Sequence, residues 1–156
     1  MQQYKVNKYA SVIYRMSHAY FDIELKPYHI GCGQQFFLLR IYEQKGISLA
    51  ELAQTGCFDK GTVTRAVSKL AEQGYVEIRT DELDKRIHRL YTTAAAKPVI
   101  DVIYQMLLRW DEAVLAGLTR REREAADGLL AKMAENACRF TEERKKKECS
   151  KEQIHK

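Results

Sequence analysis

The residues best suited to chemistry in this sequence are cations and short hydroxyls, and they fall in two groups. Lys60, Gly61, Thr62, Thr64, Arg65 and Ser68 lie within one short run, and Arg79, Asp84, Lys85 and Arg86 follow it. A guanidinium beside small polar groups is the equipment for reaching a guanine edge or a phosphate in a DNA groove. A carboxylate two residues before an arginine, as in Asp84-Lys85-Arg86, orients the guanidinium through a charge-assisted pair. One cation held that way suits the narrow minor groove, where the potential is most negative. The chain has no GxxxxGK, GxGxxG or HExxH signature, so no enzyme chemistry of those kinds is expected.

The first group must sit on a helix. Ser48-Leu49-Ala50-Glu51 reads as a capping box, in which the serine oxygen takes an orphan amide and the glutamate reaches back. Leu49, Leu52 and Ala53 form the apolar side of that short helix, and Thr55-Gly56-Cys57 breaks it. Asp59 is a good N-cap for the next helix, Lys60 to Gln73, which Gly74 ends. Two short helices joined by a glycine-containing turn form a helix-turn-helix. At about 100° per residue, Val63, Ala66, Val67 and Leu70 share the buried face of the second helix. Gly61, Thr64, Arg65 and Ser68 take the opposite face. Taken alone, Thr62, Thr64 and Ser68 would be ordinary solvated surface; a helix-turn-helix makes them candidate DNA contacts. Arg65 has two readings, base edge or phosphate.

The second group must sit on a hairpin. Tyr75 to Arg79 alternates like a strand, Thr80 to Lys85 is polar apart from Leu83, and Arg86 to Thr92 reads as a second strand. Helix-turn-helix followed by hairpin is a winged arrangement. Arg79, His88 and Arg89 lie near the wing.

The flanks are helical. Val6, Tyr9, Ile13, Met16, Tyr20 and Ile23 make one stripe at three-to-four spacing on a helix that stops before Pro27. A second helix covers Gln34 to Gln44, buries Phe37, Leu38, Ile41 and Tyr42, and is capped by Gly46. After the wing, a long helix covers Thr93 to Ala116 with Val99, Ile103, Met106, Trp110 and Val114 on its stripe, and Gly117 ends it. Its start is open: Thr93 as N-cap, or Pro98 as first helical residue. Thr119 to Glu122 is a second capping box. It opens a last helix striped by Ala126, Leu129, Leu130, Met133, Ala137 and Phe140. Thr141 to Lys156 is nearly all charged and polar and reads as frayed helix or flexible tail. Amphipathic helices at both ends suit a dimerisation lobe, and two-fold dimers suit palindromic half-sites.

Leu49 to Ala53, Asp59 to Arg65, Leu70 to Val76, Arg79 and Asp84-Lys85-Arg86, continued through Gly117-Leu118-Thr119 and Leu129 to Met133 as far as Asn136, resemble the multiple-antibiotic-resistance regulator (MarR) family. The resemblance covers about residues 5 to 140. It implies a mainly α fold with a small β-hairpin wing, a winged helix-turn-helix flanked by N- and C-terminal dimerisation helices. The expected organisation is one protomer over residues 1–140. Within it, about 31–92 form the DNA-binding lobe, about 4–25 and 93–140 form the dimerisation helices, and 141–156 form a charged tail. The resemblance implies a homodimeric regulator on a palindromic operator of double-stranded DNA. Recognition helices would lie in major grooves and wing arginines in flanking minor grooves. It implies repression relieved by a small, often phenolic or anionic effector, and no cofactor. Two departures stand out: Thr92-Thr93-Ala94-Ala95-Ala96 keeps only the threonine of the family's Leu-Thr-x-x-Gly, and the wing tip carries Leu83.

Aromatic and basic residues on the first helices, Tyr14, His18, Tyr28, Phe36 and Arg40, are the candidate effector contacts, and an aromatic pocket with one or two cations would suit an aromatic carboxylate. Phe37 reads as core. Cys57, near a helix N-terminus, and Cys32 are the candidates for a thiol switch, which requires an exposed thiol of lowered pKa. A redox regulator is therefore an alternative, and a winged-helix module that binds protein a second one. Glu24, His29 and Cys32 mix metal-ligand types, but the resemblance implies that zinc-sensing members also use a histidine on the long helix, and none lies between Thr93 and Gly117, so no metal site is expected.

Composition sets the outer bounds. The chain has 156 residues and a net charge of +5, the size of one domain with or without an extension. Four cysteines without a CxxC pair fit a reducing cytoplasm. The N-terminus has no signal-peptide core, and no apolar run is long enough to span a bilayer, so no membrane association is expected. The charge itself sits elsewhere than the winged module: 48–92 is neutral, 93–140 is neutral, 1–47 carries +3 and 141–156 carries +2. Any reading of DNA must come from the arrangement of charges, and non-specific binding at physiological salt should be weak.

Overall fold

A short strand missing from the sequence reading ties the architecture together. In the computed structural model, which describes residues 5–154 and side chains as far as Glu148, the chain runs α1 (Lys5–Leu25), a 3-10 turn (Lys26–Tyr28), α2 (Gln34–Glu43), β1 (Ile47–Ser48), α3 (Leu49–Gln54), α4 (Lys60–Glu72), β2 (Val76–Thr80), β3 (His88–Thr92), α5 (Ala96–Val114) and α6 (Arg120–Ile154). Residues through Asp111 make one unit and those from Glu112 a second.

The sheet has the order β1-β3-β2, antiparallel throughout. Ile47 faces Leu90 from one side and Ile78 faces it from the other. β1 escapes sequence reading because two residues show no periodicity. The first hairpin strand is shifted by one residue from the expected Tyr75 to Arg79, and the second starts at His88 rather than Arg86, because the Asp81 amide bonds the Ile87 carbonyl and the Ile87 amide turns back to the Asp84 carbonyl.

The core lies where α2, α3, α4, β3 and α5 meet. Leu38, Ile41, Leu52, Val63, Leu70 and Leu90 are wholly shielded from solvent, and each such side chain contributes about 1.5–3 kcal/mol over its exposed state. On α4 the expected apolar face, Val63, Ala66, Val67 and Leu70, is the buried one. Phe37 is core as well.

Helix ends follow local chemistry. At Ser48 the capping box is complete, with Ser48 Oγ accepting from the Glu51 amide and Glu51 accepting from the Ser48 amide. Thr119 and Glu122 make the second box. Two boundaries differ from expectation. Gln44, not Gly46, caps α2, and Gly46 instead takes φ +81° in the following turn. Thr55-Gly56-Cys57 does break α3, with Cys57 in the left-handed conformation. α5 begins at Ala96, between the two starts the sequence allowed; Pro98 then lies in the first turn, whose amides have no partner within the helix.

The first helix holds the largest surprise. Its buried residues are Phe21 and Leu25, while Val6, Tyr9, Ile13, Met16 and Ile23 of the expected stripe are exposed. Only the C-terminal end of α1 enters the core of the single chain. Tyr20 and Phe21 there meet Trp110 of α5 at centroid distances of 6.0 and 5.8 Å. In the second unit α6 continues through the charged segment to Ile154, where the composition suggested a frayed or flexible tail. Leu129, Leu130, Met133 and Phe140 are exposed on it.

Gly56 is required for space. A Cβ there would lie 2.3 Å from the Phe58 ring and 3.1 Å from Phe36, and Phe58 is itself wedged between Phe36 and Phe37. Gly56→Ala is therefore expected to destabilise the protein by about 1–3 kcal/mol, the cost of overpacking. Ser48→Ala should cost about 1 kcal/mol through loss of the cap. Urea unfolding with an unchanged m-value checks both.

Candidate nucleic-acid interface

The exposed face of α4 is built from its cap outward. Asp59 accepts from the Thr62 amide at 2.9 Å and from the Thr62 hydroxyl at 2.7 Å. These bonds hold the Asp59 carboxyl below the usual carboxylate range, the hydroxyl bond contributing most. The Thr62 hydroxyl in turn accepts from Arg65 Nη2 at 3.3 Å. Asp59, Thr62 and Arg65 thus form one chain of bonds that lays the guanidinium along the first turn. Thr62 is spent on this chain, so it places Arg65 and offers little itself. Thr64 donates its proton to the Lys60 carbonyl at 2.8 Å, leaving oxygen lone pairs outward, an acceptor for a base amino group. Lys60, Gly61, Thr64, Arg65 and Ser68 are all exposed.

The wing presents a second cation. Arg86 and Asp84 pair in fork geometry, Nε to Oδ1 at 3.0 Å and Nη2 to Oδ2 at 2.9 Å. The carboxylate also accepts from the Arg86 amide. The guanidinium bond, followed by that amide, lowers the Asp84 pKa. The Arg86 side chain is 90% exposed: paired on one edge, open to solvent on the rest. Lys85 is exposed beside it, and Leu83 at the tip is fully exposed. Arg79 serves differently. It pairs with Glu77 at 2.8 Å and lies over the Tyr91 ring at 4.6 Å, which fixes it on the strand face.

Two residues outside the expected set shape the wing. Asp81 Oδ1 accepts from the Leu83 and Asp84 amides at 2.8 and 3.0 Å. Its Oδ2 accepts from Arg89 Nε at 2.8 Å. These bonds, the Arg89 one first, bring the Asp81 pKa down to about 2. An aspartate three residues before another at a polar loop is an ordinary turn signal; the remote partner Arg89 left none.

The five candidate effector contacts are not brought together. Tyr14 and His18 meet on α1 with centroids 4.0 Å apart and ring planes tilted by 47°. Phe36 carries Arg40 over its ring at 5.4 Å and packs on Phe37 and Phe58. Tyr28 lines a separate cavity of about 530 Å³ together with Glu24, Asp101 and Arg109. That cavity holds two carboxylates and one guanidinium, a set opposed to the expected anionic ligand. As for the thiols, burial pushes the Cys32 thiol up, which disfavours a reactive thiolate. Cys57 is exposed in its turn. Among the described residues no cluster of three metal-ligating side chains forms.

Comparison with known proteins shows the family. The model of the MarR family matches residues 33–88, the stretch from the start of α2 through the wing. The chain is similar to the uncharacterized HTH-type transcriptional regulator YybA of Bacillus subtilis (strain 168), with 34% identity over 115 residues, 74% of this chain and 77% of that protein. It is similar to the HTH-type transcriptional regulator BilQ of Clostridium symbiosum (strain WAL-14163), 31% identical over 126 residues, 80% of this chain and 88% of that one. A crystal structure of a MarR transcriptional regulator from Methanosarcina mazei Go1 superposes with a TM-score of 0.80 at 32% identity, covering 88% of this chain and 99% of that chain. A capped reading helix, a braced wing and relatives matched over most of their length lead to one conclusion: the chain belongs to the MarR family, and is a DNA-binding transcriptional regulator rather than an enzyme.

Proposed function

We propose that the protein is a cytoplasmic homodimeric repressor that reads a palindromic operator, α4 entering the major groove and Arg86 the flanking minor groove. The observation that carries this reading is the Asp84–Arg86 fork on an otherwise open wing. The fork spends one edge of the guanidinium on orientation and leaves the rest for the groove. Thr64 and Arg65 supply base-edge bonds, an acceptor and a donor on one face, and Lys60, Lys85 and Ser68 supply phosphate contacts.

Dimerisation is supported by what the single chain leaves uncovered. The exposed stripe on α1 and the one on α6 have helical spacing and the composition of a buried face. Exposed apolar area of that extent marks an interface, and a second copy is the partner that a palindromic site requires. Release by a small effector is part of the same proposal. The cavity at Tyr28, between the end of α1 and α5, has the size of a small-molecule site.

Selection from a random duplex pool should yield an inverted repeat. Against that operator, Arg65→Ala is expected to lose about 1–3 kcal/mol of discrimination at one base pair per half-site. Arg86→Ala should lower the salt slope of binding by about one counterion per protomer while the consensus stays the same. Binding that keeps its full strength and slope in both variants rejects the proposal. Ile13→Asp and Leu130→Asp should each give a monomer in sedimentation velocity, and a wild-type monomer at micromolar concentration would refute the dimer. The wing should also resist acid. Since the folded-state pKa of Asp81 is lowered from 3.8 to about 2, its stabilisation is fully present above the unfolded value and is lost as pH falls through about 2. Carboxyl NMR titration checks this, and an Asp81 midpoint near 4 would contradict it.

A further inference from the structure

Arg89 differs from the other wing cations in where it points. Its side chain is 32% exposed, against 90% for Arg86 and 57% for Arg79. Nε donates to Asp81 Oδ2 at 2.8 Å, on the wing turn. Nη1 donates to the Gly46 carbonyl at 3.2 Å, in the turn before β1, and to Glu51 Oε2 at 3.4 Å, in the cap of α3. One guanidinium therefore joins the wing turn to the turn before β1 and to the cap of α3, about forty residues earlier in the sequence. The two carboxylates already have a second task. Asp81 holds the Leu83 and Asp84 amides, and Glu51 closes the capping box on Ser48.

The hairpin has reason to need this. Beyond Thr80 and His88 the ladder ends, a single cross-hairpin backbone bond, Asp81 N to Ile87 O, is left before the tip, and a two-stranded ribbon alone is marginal in water. A tip free to swing would have to be ordered when it meets DNA, at a cost in affinity. We propose that Arg89 is a positioning residue for DNA binding: by bridging Asp81 to the Gly46 carbonyl and the Glu51 carboxylate, it fixes the wing tip, with Leu83 and Arg86, at a set place relative to the α3–α4 pair. Arg89 does this through its Nε and Nη1 donors, which face inward to Asp81, Gly46 and Glu51. The inference rests on the reading of Arg86 as the minor-groove contact.

The test is hydroxyl-radical footprinting and affinity measurement on the selected operator, with Arg86→Ala, Arg89→Lys, Asp81→Asn and the double variant Arg86→Ala/Arg89→Lys. Lysine keeps the charge and loses the fork. Asp81→Asn keeps the shape of the turn and loses the ion pair. Arg89→Lys and Asp81→Asn should each weaken binding roughly three- to tenfold, the range expected for ordering one or two side chains on binding. They should lose protection in the flanking minor grooves and keep it in the major grooves. In the double variant the Arg89 change should add nothing to the loss from Arg86→Ala, since no wing contact is left to position. Additive losses, or flanking protection intact in Arg89→Lys and Asp81→Asn, overturn the inference alone. Flanking protection intact in Arg86→Ala overturns the reading of Arg86 and the inference with it. Amide exchange of residues 81–87 in the DNA-free protein gives a second readout: faster exchange there in Arg89→Lys, with α4 unchanged, is expected, and equal exchange counts against the proposal.

Discussion

Ile47 and Ser48 are shared between the wing sheet and the helix-turn-helix. As β1 they pair with β3 and carry the wing sheet; as the residues before α3 they open the helix-turn-helix, with Ser48 as its cap. Two roles on adjacent backbone atoms leave no room for a hinge. Ile47 is buried against Leu90, which Ile78 faces from the other strand, so the sheet cannot slide along its register without exposing its core residues, Ile47, Val76 and Leu90. This short strand ties the wing sheet directly to the start of the α3–α4 pair.

Around that joint, polar bonds take over where packing ends. The tip of the wing has no apolar face to bury, and Leu83 is left in solvent. Its order comes from a carboxylate, Asp81, that accepts two turn amides and one guanidinium. On α4 the same device appears on a smaller scale, with Asp59 holding Thr62 and Thr62 holding Arg65. In both places acidic residues arrange the cations. This accounts for a module whose net charge is zero and whose outward cations are nonetheless grouped.

The cavity at Tyr28 is where the proposed effector would act. Its wall is partly α1 and partly α5, the two helices that also meet through Tyr20, Phe21 and Trp110. Glu24 and Arg109 lie 3.8 Å apart across it, long for an ion pair. A ligand that separates or bridges them would act on the spacing of those helices, one route by which an effector changes the presentation of a DNA-binding lobe.

Much of the fold was legible because its signals are local. Capping boxes at Ser48 and Thr119, the Asp59 cap and the face of α4 are decided within one or two turns of helix, and a sequence shows such spacing directly. The Asp84–Arg86 fork is legible for the same reason, as its partners are two residues apart. What tertiary structure alone decided is long-range. β1 exists only because β3 lies beside it, and Arg89 finds Gly46 and Glu51 across about forty residues of chain. The stripe on α1 shows the boundary between the two. Periodicity established that Val6, Tyr9, Ile13 and Met16 share a face, but which face meets the core depends on the neighbours that folding supplies. In this chain those neighbours, on α5, meet Tyr20 and Phe21 instead.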